Sequence, residues 1–185
     1  MVAEVRFLTT NEQAGLTWAQ EALAQRFSHM CSSSCICCPT VQNNPYHTTS
    51  SRPPSIGYTD YIRRHTKYIE SMTISTIVLA AVNIDRWLLD HETGIRQTVC
   101  IRSAHHLLAV ALHTSDKYLT DPPDYVFKYR AQVSGTSPSR LLRLERHFLD
   151  RLGWQPACSD KTFVQYLKVL LQAELKPIPE KKFRK

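Results

Sequence analysis

The sequence predicts an all-α protein, built as a single domain around a buried central helix. Two observations lead there. The stretch Thr98 to Leu119, TVCIRSAHHLLAVALHTSDKYL, carries Ile101, Ala104 and the unbroken apolar run Leu107 to Leu112, which leaves no polar face over its middle turns. A surface helix would instead show an apolar stripe about 100° wide. At 22 residues this helix is roughly 33 Å long, about the width of a small domain, so other helices must cover it on several sides. The second observation is that the remaining apolar residues recur at spacings of three and four, with no alternating strand pattern and no internal repeat.

Composition narrows the class. A length of 185 residues suits one domain with tails. The net charge of +7, from 23 Lys and Arg against 16 Asp and Glu, favours an acidic partner. The basic residues are nevertheless spread along the chain and do not form a nucleic-acid footprint. No apolar run reaches the length of a membrane span, and MVAEVRFLTTNEQ is not a basic segment followed by an apolar core. The expected location is therefore intracellular, in nucleus or cytoplasm, and the six cysteines are expected to be free thiols in a reducing compartment.

Taken in order, Thr10 to Met30 reads as an amphipathic helix with Leu16, Ala19, Leu23 and Phe27 near one face, and Thr10 and Thr17 offer alternative capping-box starts. Such a helix is marginal alone and must dock on the domain or on a partner. Residues 31–53 are polar, proline-containing and without period, and read as a linker dispensable for folding. Its Cys31, Cys35, Cys37 and Cys38 raise zinc binding and reversible acylation. Four cysteines within eight residues could close a tetrahedron only with strain, so exposed thiols are the reading adopted.

The core domain is expected to span 54–155. Tyr58, Tyr61, Ile62, His65, Tyr68 and Ile69 give its first helix, which should end near Ser71 or Met72. Ser75 can cap the second, with Ile77, Val78, Ala81, Val82, Ile84, Trp87 and Leu88 on a wide apolar face. A loop containing Gly94 leads to the central helix, which Asp121-Pro122-Pro123 stops. A short helix follows from Asp124 to about Ala131. Ser137 then caps a helix with Pro138 in its first turn, carrying Leu141, Leu142, Leu144, Phe148, Leu149 and Leu152 to a stop at Gly153. A C-terminal helix within 156–175 shows Phe163, Tyr166, Leu167, Leu170 and Leu171 on one face. The tail 176–185 ends in a weak basic cluster, KKFRK.

Three charges contradict this pattern. Asp85 falls at the edge of the second helix's apolar face and would need a cation to be buried. Glu145 lies on the leucine stripe of the fifth core helix, so it is either exposed or covered by a partner. Lys117 closes the central helix, where the C-terminal dipole favours a cation by about 0.3 to 1 kcal/mol.

These features resemble the cyclin box. The resemblance is carried by NIDRWL (Asn83 to Leu88), by the central helix ending in SDKYLTDPP (Ser115 to Pro123), and by LLRLERHFLDRLGW (Leu141 to Trp154), over about Pro54 to Gln155. The segments PSIGYTDYIRRHTKY and YRAQVSGTSPSRLLRLE are similar to the single-box P or U type associated with phosphate signalling. The resemblance implies a five-helix cyclin box with flanking N- and C-terminal helices, and a heterodimer in which the chain activates a cyclin-dependent protein kinase. It implies that Lys117 and Glu145 grip the kinase, flanked by Tyr118, Leu149 and Trp154, and that an internal ion pair joins Arg64 to Asp85. The apolar docking patch that many cell-cycle cyclins carry on the first helix is replaced by RRHTKYIE (Arg63 to Glu70), so docking of substrate motifs there is not expected. A second cyclin fold is not found.

The rival readings fare less well. Five glycines form no phosphate loop and no nucleophile-base order stands out, so catalysis is not expected, and no cofactor or metal is implied. His105 and His106 point about 100° apart on a helix and His113 lies two turns beyond His106, which suits core or surface histidines better than ligands. A cyclin-fold transcription factor or adaptor binding nucleic acid is the alternative. Recognisable ones have two repeats where this chain shows one.

Overall fold

The computed structural model describes residues 12–32, 45–46, 54–89 and 97–173. Seven helices are present among them: α1 (Glu12–Met30), α2 (Tyr58–Tyr68), α3 (Ile74–Leu88), α4 (Ile101–Thr120), α5 (Val126–Val133), α6 (Pro138–Arg151) and α7 (Asp160–Ala173). The all-α expectation holds. Helix α4 is buried on every side from Ser103 to Asp116, because α3 lies along it and α6 covers another face. With no polar face to present, a helix of this kind is stable only when enclosed.

Helix ends follow local chemistry. The α3 start is set by Thr73, not Ser75: the Thr73 N–H donates to Thr76 Oγ1 at 3.2 Å, a reciprocal arrangement that satisfies orphan groups at the first turn. Ser137 caps α6 as expected, its Oγ accepting the Arg140 N–H at 3.3 Å with Pro138 following in the first turn. Gly153, with φ 62°, ends that helix in the left-handed region that glycine tolerates.

The N-terminal part departs most from expectation. Helix α1 is an integral layer, crossing α2 and α3 and touching α7, with Trp18, Ala19, Leu23 and Phe27 buried in the core. Alanines at 19, 22 and 24 let the helices approach closely, and Gln20 Nε2 donates to Thr66 Oγ1 at 2.7 Å. Two short strands, β1 (Cys31–Ser32) and β2 (Val99–Cys100), pair in parallel with Cys31 opposite Val99. Two residues give no alternation, so no sequence pattern could reveal them.

Reading 31–53 as a dispensable linker fails at Tyr46. Its side chain is only 1% exposed and meets Trp87 edge-on at 5.2 Å, while its hydroxyl donates to the Leu144 carbonyl at 3.3 Å. The His106 Nδ1 donates to the Tyr46 carbonyl at 2.8 Å. Packed density decides such a site: a lone aromatic inside a core gap is worth kilocalories whatever its neighbours in sequence. Cys35, Cys37, Cys38, the Gly94 loop and the basic tail lie outside the described residues. No helix among the described residues is long and apolar enough to cross a membrane.

Candidate functional site

The surface singled out by the misplaced charges forms where α4 emerges from the core. Burial ends at Asp116, and Lys117, Tyr118, Leu119 and Thr120 are exposed. The helix stops because Asp121 turns left-handed at φ 43°, its N–H bonding the Lys117 carbonyl at 3.0 Å, and Pro122 and Pro123 cannot continue the ladder. Beside this end runs α6, whose buried stripe is Leu141, Leu144, Glu145, Phe148 and Leu152. Leu142 was expected on that stripe and instead faces solvent at 56% exposure. Leu142 lies about 100° round the helix from Leu141, at the margin of that stripe, and so faces solvent although it is only three residues from Glu145.

The structure brings Lys117 and Glu145 together. Lys117 Nζ donates to Glu145 Oε1 at 3.2 Å, the lysine side chain being 48% exposed and the glutamate side chain 4%. His113 Nε2 lies 3.7 Å from the same oxygen, too long for a hydrogen bond and within reach of an ionic attraction. Burial alone would raise the Glu145 carboxyl, but His113 and Lys117 outweigh it and hold the group below its usual value. An anionic carboxylate is therefore kept just beneath the surface with a half-exposed cation over it.

The apolar residues that the resemblance assigns to this surface are open to solvent to different degrees. Tyr118 is 53% and Trp154 60% exposed, and Leu149 is partly buried. Trp154 is held in place: its φ of 60° follows Gly153, and its indole N–H donates to Asp150 Oδ1 at 2.8 Å. On the other side a groove of about 280 Å³ runs between Lys117, Pro122, Pro123, Phe127 and Leu142. An exposed apolar border around a partly desolvated charge pair is suited to binding a protein surface.

The expected ion pair between Arg64 and Asp85 is not formed. Asp85 is bound by Arg26 Nη2 from α1 and accepts the Tyr166 hydroxyl of α7 at 2.8 Å. Arg64 is exposed and, among the described residues, donates to the Gln132 carbonyl at 3.4 Å. The reason is helix α1, which packs against both α2 and α3 and delivers its own arginine to the carboxylate.

One buried group was missed. Asp116, fully buried at the end of α4, pairs with Arg130 of α5, itself 3% exposed, and Ser71 Oγ donates to Asp116 Oδ2 at 2.9 Å. An acid at the end of an otherwise apolar helix was the available signal. The histidines are core groups: His105 Nε2 donates to the Ile56 carbonyl at 2.8 Å, and burial lowers both His105 and His106. Among the described residues no three His, Cys, Asp or Glu side chains are grouped as a metal site requires.

A family model described as Cyclin matches residues 5–155. No curated protein matches the chain. The matched region takes in α1 and the Tyr46 segment as well as α2 to α6, in keeping with a core that begins well before residue 54.

Proposed function

The chain belongs to the cyclin family, and on that premise we propose that it is the regulatory subunit of a cyclin-dependent protein kinase, which it binds and activates through the surface centred on Lys117 and Glu145. Cyclin-family proteins are generally non-catalytic regulators, and an all-helical domain of this kind is what the fold supplies. The finer assignment, to the single-box P or U kind that acts in nutrient or cell-cycle signalling, rests on the sequence segments around Pro54 and Tyr129.

One observation carries the proposal. Glu145 is a buried carboxylate whose Lys117 partner, 3.2 Å away, is half exposed, and the cyclin resemblance assigns Tyr118, Leu149 and Trp154 to the same surface. A purely structural pair would be closed by the chain itself, as Asp116 is by Arg130. Here the cation and its apolar neighbours face outward, so a docking protein can exclude water from them and strengthen their interactions. A kinase helix with free polar groups at one end and apolar side chains along it would fit.

The test is a kinase co-purified with the full chain and identified as cyclin-dependent, followed by variants. Lys117→Ala combined with Glu145→Gln keeps the buried volume while removing both charges. We expect unchanged helicity and loss of kinase activation by tenfold or more, since interface truncations of this sort cost about 2 kcal/mol or more. Undiminished binding and activation by that variant would overturn the assignment of this surface.

A further inference from the structure

We propose that the groove bounded by the end of α2, the α4–α5 connection and α5 is a second docking site, which takes a proline-rich segment of another protein carrying a basic residue. This goes beyond the kinase-facing surface: Lys117, Tyr118, Leu149 and Trp154 do not line it, although Pro122 and Pro123 border both.

The groove measures about 510 Å³ and is lined by Tyr68, Tyr125, Tyr129, Pro122, Pro123 and Glu70, among others. Tyr68 and Glu70 close the RRHTKYIE segment, which lacks the apolar patch expected for substrate motifs but supplies an aromatic face and a carboxylate here. The three tyrosines are 48%, 81% and 45% exposed. A single exposed aromatic needs no explanation, but three around one groove mark an interaction surface. Their base is rigid. Arg130, buried at the groove wall, is tied to Asp116 and donates to Ser71 Oγ at 3.1 Å, and the left-handed Asp121 fixes the direction of Pro122 and Pro123.

The chemistry selects the occupant. A polyproline II segment has no internal hydrogen bonds, so its carbonyls are free to accept from tyrosine hydroxyls while its rings lie on flat aromatic faces. Tyrosine offers that contact at low conformational cost. A partner strand would need an exposed sheet edge, and the groove's lining holds no strand. A partner helix would need a long apolar trough for residues spaced i, i+3, i+4 and i+7, whereas the apolar floor here is confined to Ile69, Pro122, Pro123 and Val126. Charge points to a basic residue beside the prolines. Glu70 is exposed and has no ion pair among the described residues, Arg130 is neutralised by Asp116, and the exposed Asp121 and Asp124 flank the two prolines. Against these stand Lys67, over the Tyr68 ring at 5.4 Å, and the exposed Lys128 beside Tyr129 on α5.

The experiment is fluorescence anisotropy with the full chain and a labelled peptide of repeated proline pairs ending in arginine. Companion peptides replace the prolines by alanine or the arginine by glutamate. Saturable binding of the first peptide is expected, weakened tenfold or more by Tyr125→Ala with Tyr129→Ala, two exposed positions whose truncation leaves the core intact. Glu70→Lys should weaken it several-fold at low salt and less at high salt. Co-precipitation of the kinase should be unaffected by either variant, which separates failure here from failure of the kinase reading. The proposal is overturned by absence of saturable binding, by undiminished binding in the double tyrosine variant, or by equal affinity for the alanine or glutamate peptide. It is also overturned if sedimentation shows a dimer that the double tyrosine variant dissolves, since a second copy would then be the occupant.

Discussion

Asp85 and Glu145 pose the same problem in the sequence, a carboxylate on the apolar side of a helix, and the structure solves it in two different ways. Asp85 is enclosed by groups from three helices: its own α3, Arg26 of α1 and Tyr166 of α7. Asp116 is enclosed more tightly still, with Arg130 and Ser71. Glu145 has His113 and Lys117 above it, and Lys117 opens to solvent. The closed acids take their cations from other helices of the same chain. The open one keeps a charge and its apolar surround available to another molecule. Burial of a carboxylate therefore does not by itself mark a structural pair; the exposure of the cation is what sets the proposed binding site apart.

The sharpest test of that distinction is Asp116→Ala. Removing a fully buried partner leaves Arg130 charged and buried, and we expect a loss of about 3 to 5 kcal/mol in denaturant unfolding. A midpoint unchanged from wild type would show that Arg130 reaches water and that the closed class is wrongly drawn.

Acid should strike the closed side next. His65 is completely buried, its Nδ1 donating to the Tyr61 carbonyl at 2.9 Å and its Nε2 lying 3.2 Å from Ser134 Oγ on the Arg130 side of the domain. Burial lowers it from 6.5 to about 4. The folded chain thus binds this proton less readily than the unfolded chain. Stability is full above about pH 6.5 and falls as pH drops toward 4, by about 3 kcal/mol from this group alone. His65→Gln should flatten that part of the curve in urea unfolding at successive pH values; an unchanged slope would contradict the assignment. Glu145, held low, adds a further loss only below its ordinary carboxylate range.

Asp85→Ala is expected to cost somewhat less, about 2 to 3 kcal/mol, because the Arg26 side chain is 28% exposed and is partly resolvated when released. Arg26→Ala should destabilise comparably and Arg64→Ala should not. Equal effects of the two arginine changes on thermal unfolding would restore the pairing first expected from the sequence.

The smallest stability effect belongs to the open pair. Lys117→Ala should change unfolding by no more than about 0.5 kcal/mol, as an exposed partner does, while kinase activation falls tenfold or more. A large stability loss with activation intact would place Lys117 in the closed class.

Much of the fold was legible because it depends on short-range periodicity. The buried run of α4, the Ser137-Pro138 start of α6 and the proline stop after Asp121 are each decided within a few residues, by the 3.6-residue repeat or by capping chemistry. The site was partly legible for the same reason. A lysine at a helix end and a glutamate on a leucine stripe stand out against a regular pattern, although the choice of Leu142 as core failed because it sits about 100° round the helix from Leu141, at the margin of the stripe. Tyr46 could not be found, since an aromatic between Pro45 and His47 in an aperiodic segment has no repeat to belong to.

By itself, then, the sequence determined which segments are helices, which one lies at the centre and that Asp85 would need a cation, while the buried Asp116 escaped it. Tertiary structure alone decided which cation each acid received. Arg26 and Arg64 are equally available in a linear chain, and only the packing of α1 against both α2 and α3 brings the first to Asp85 and leaves the second in solvent. A long side chain reaches one turn or so from its helix axis, so the crossing of helices selects the pair, and that crossing is set by the sum of contacts across the core.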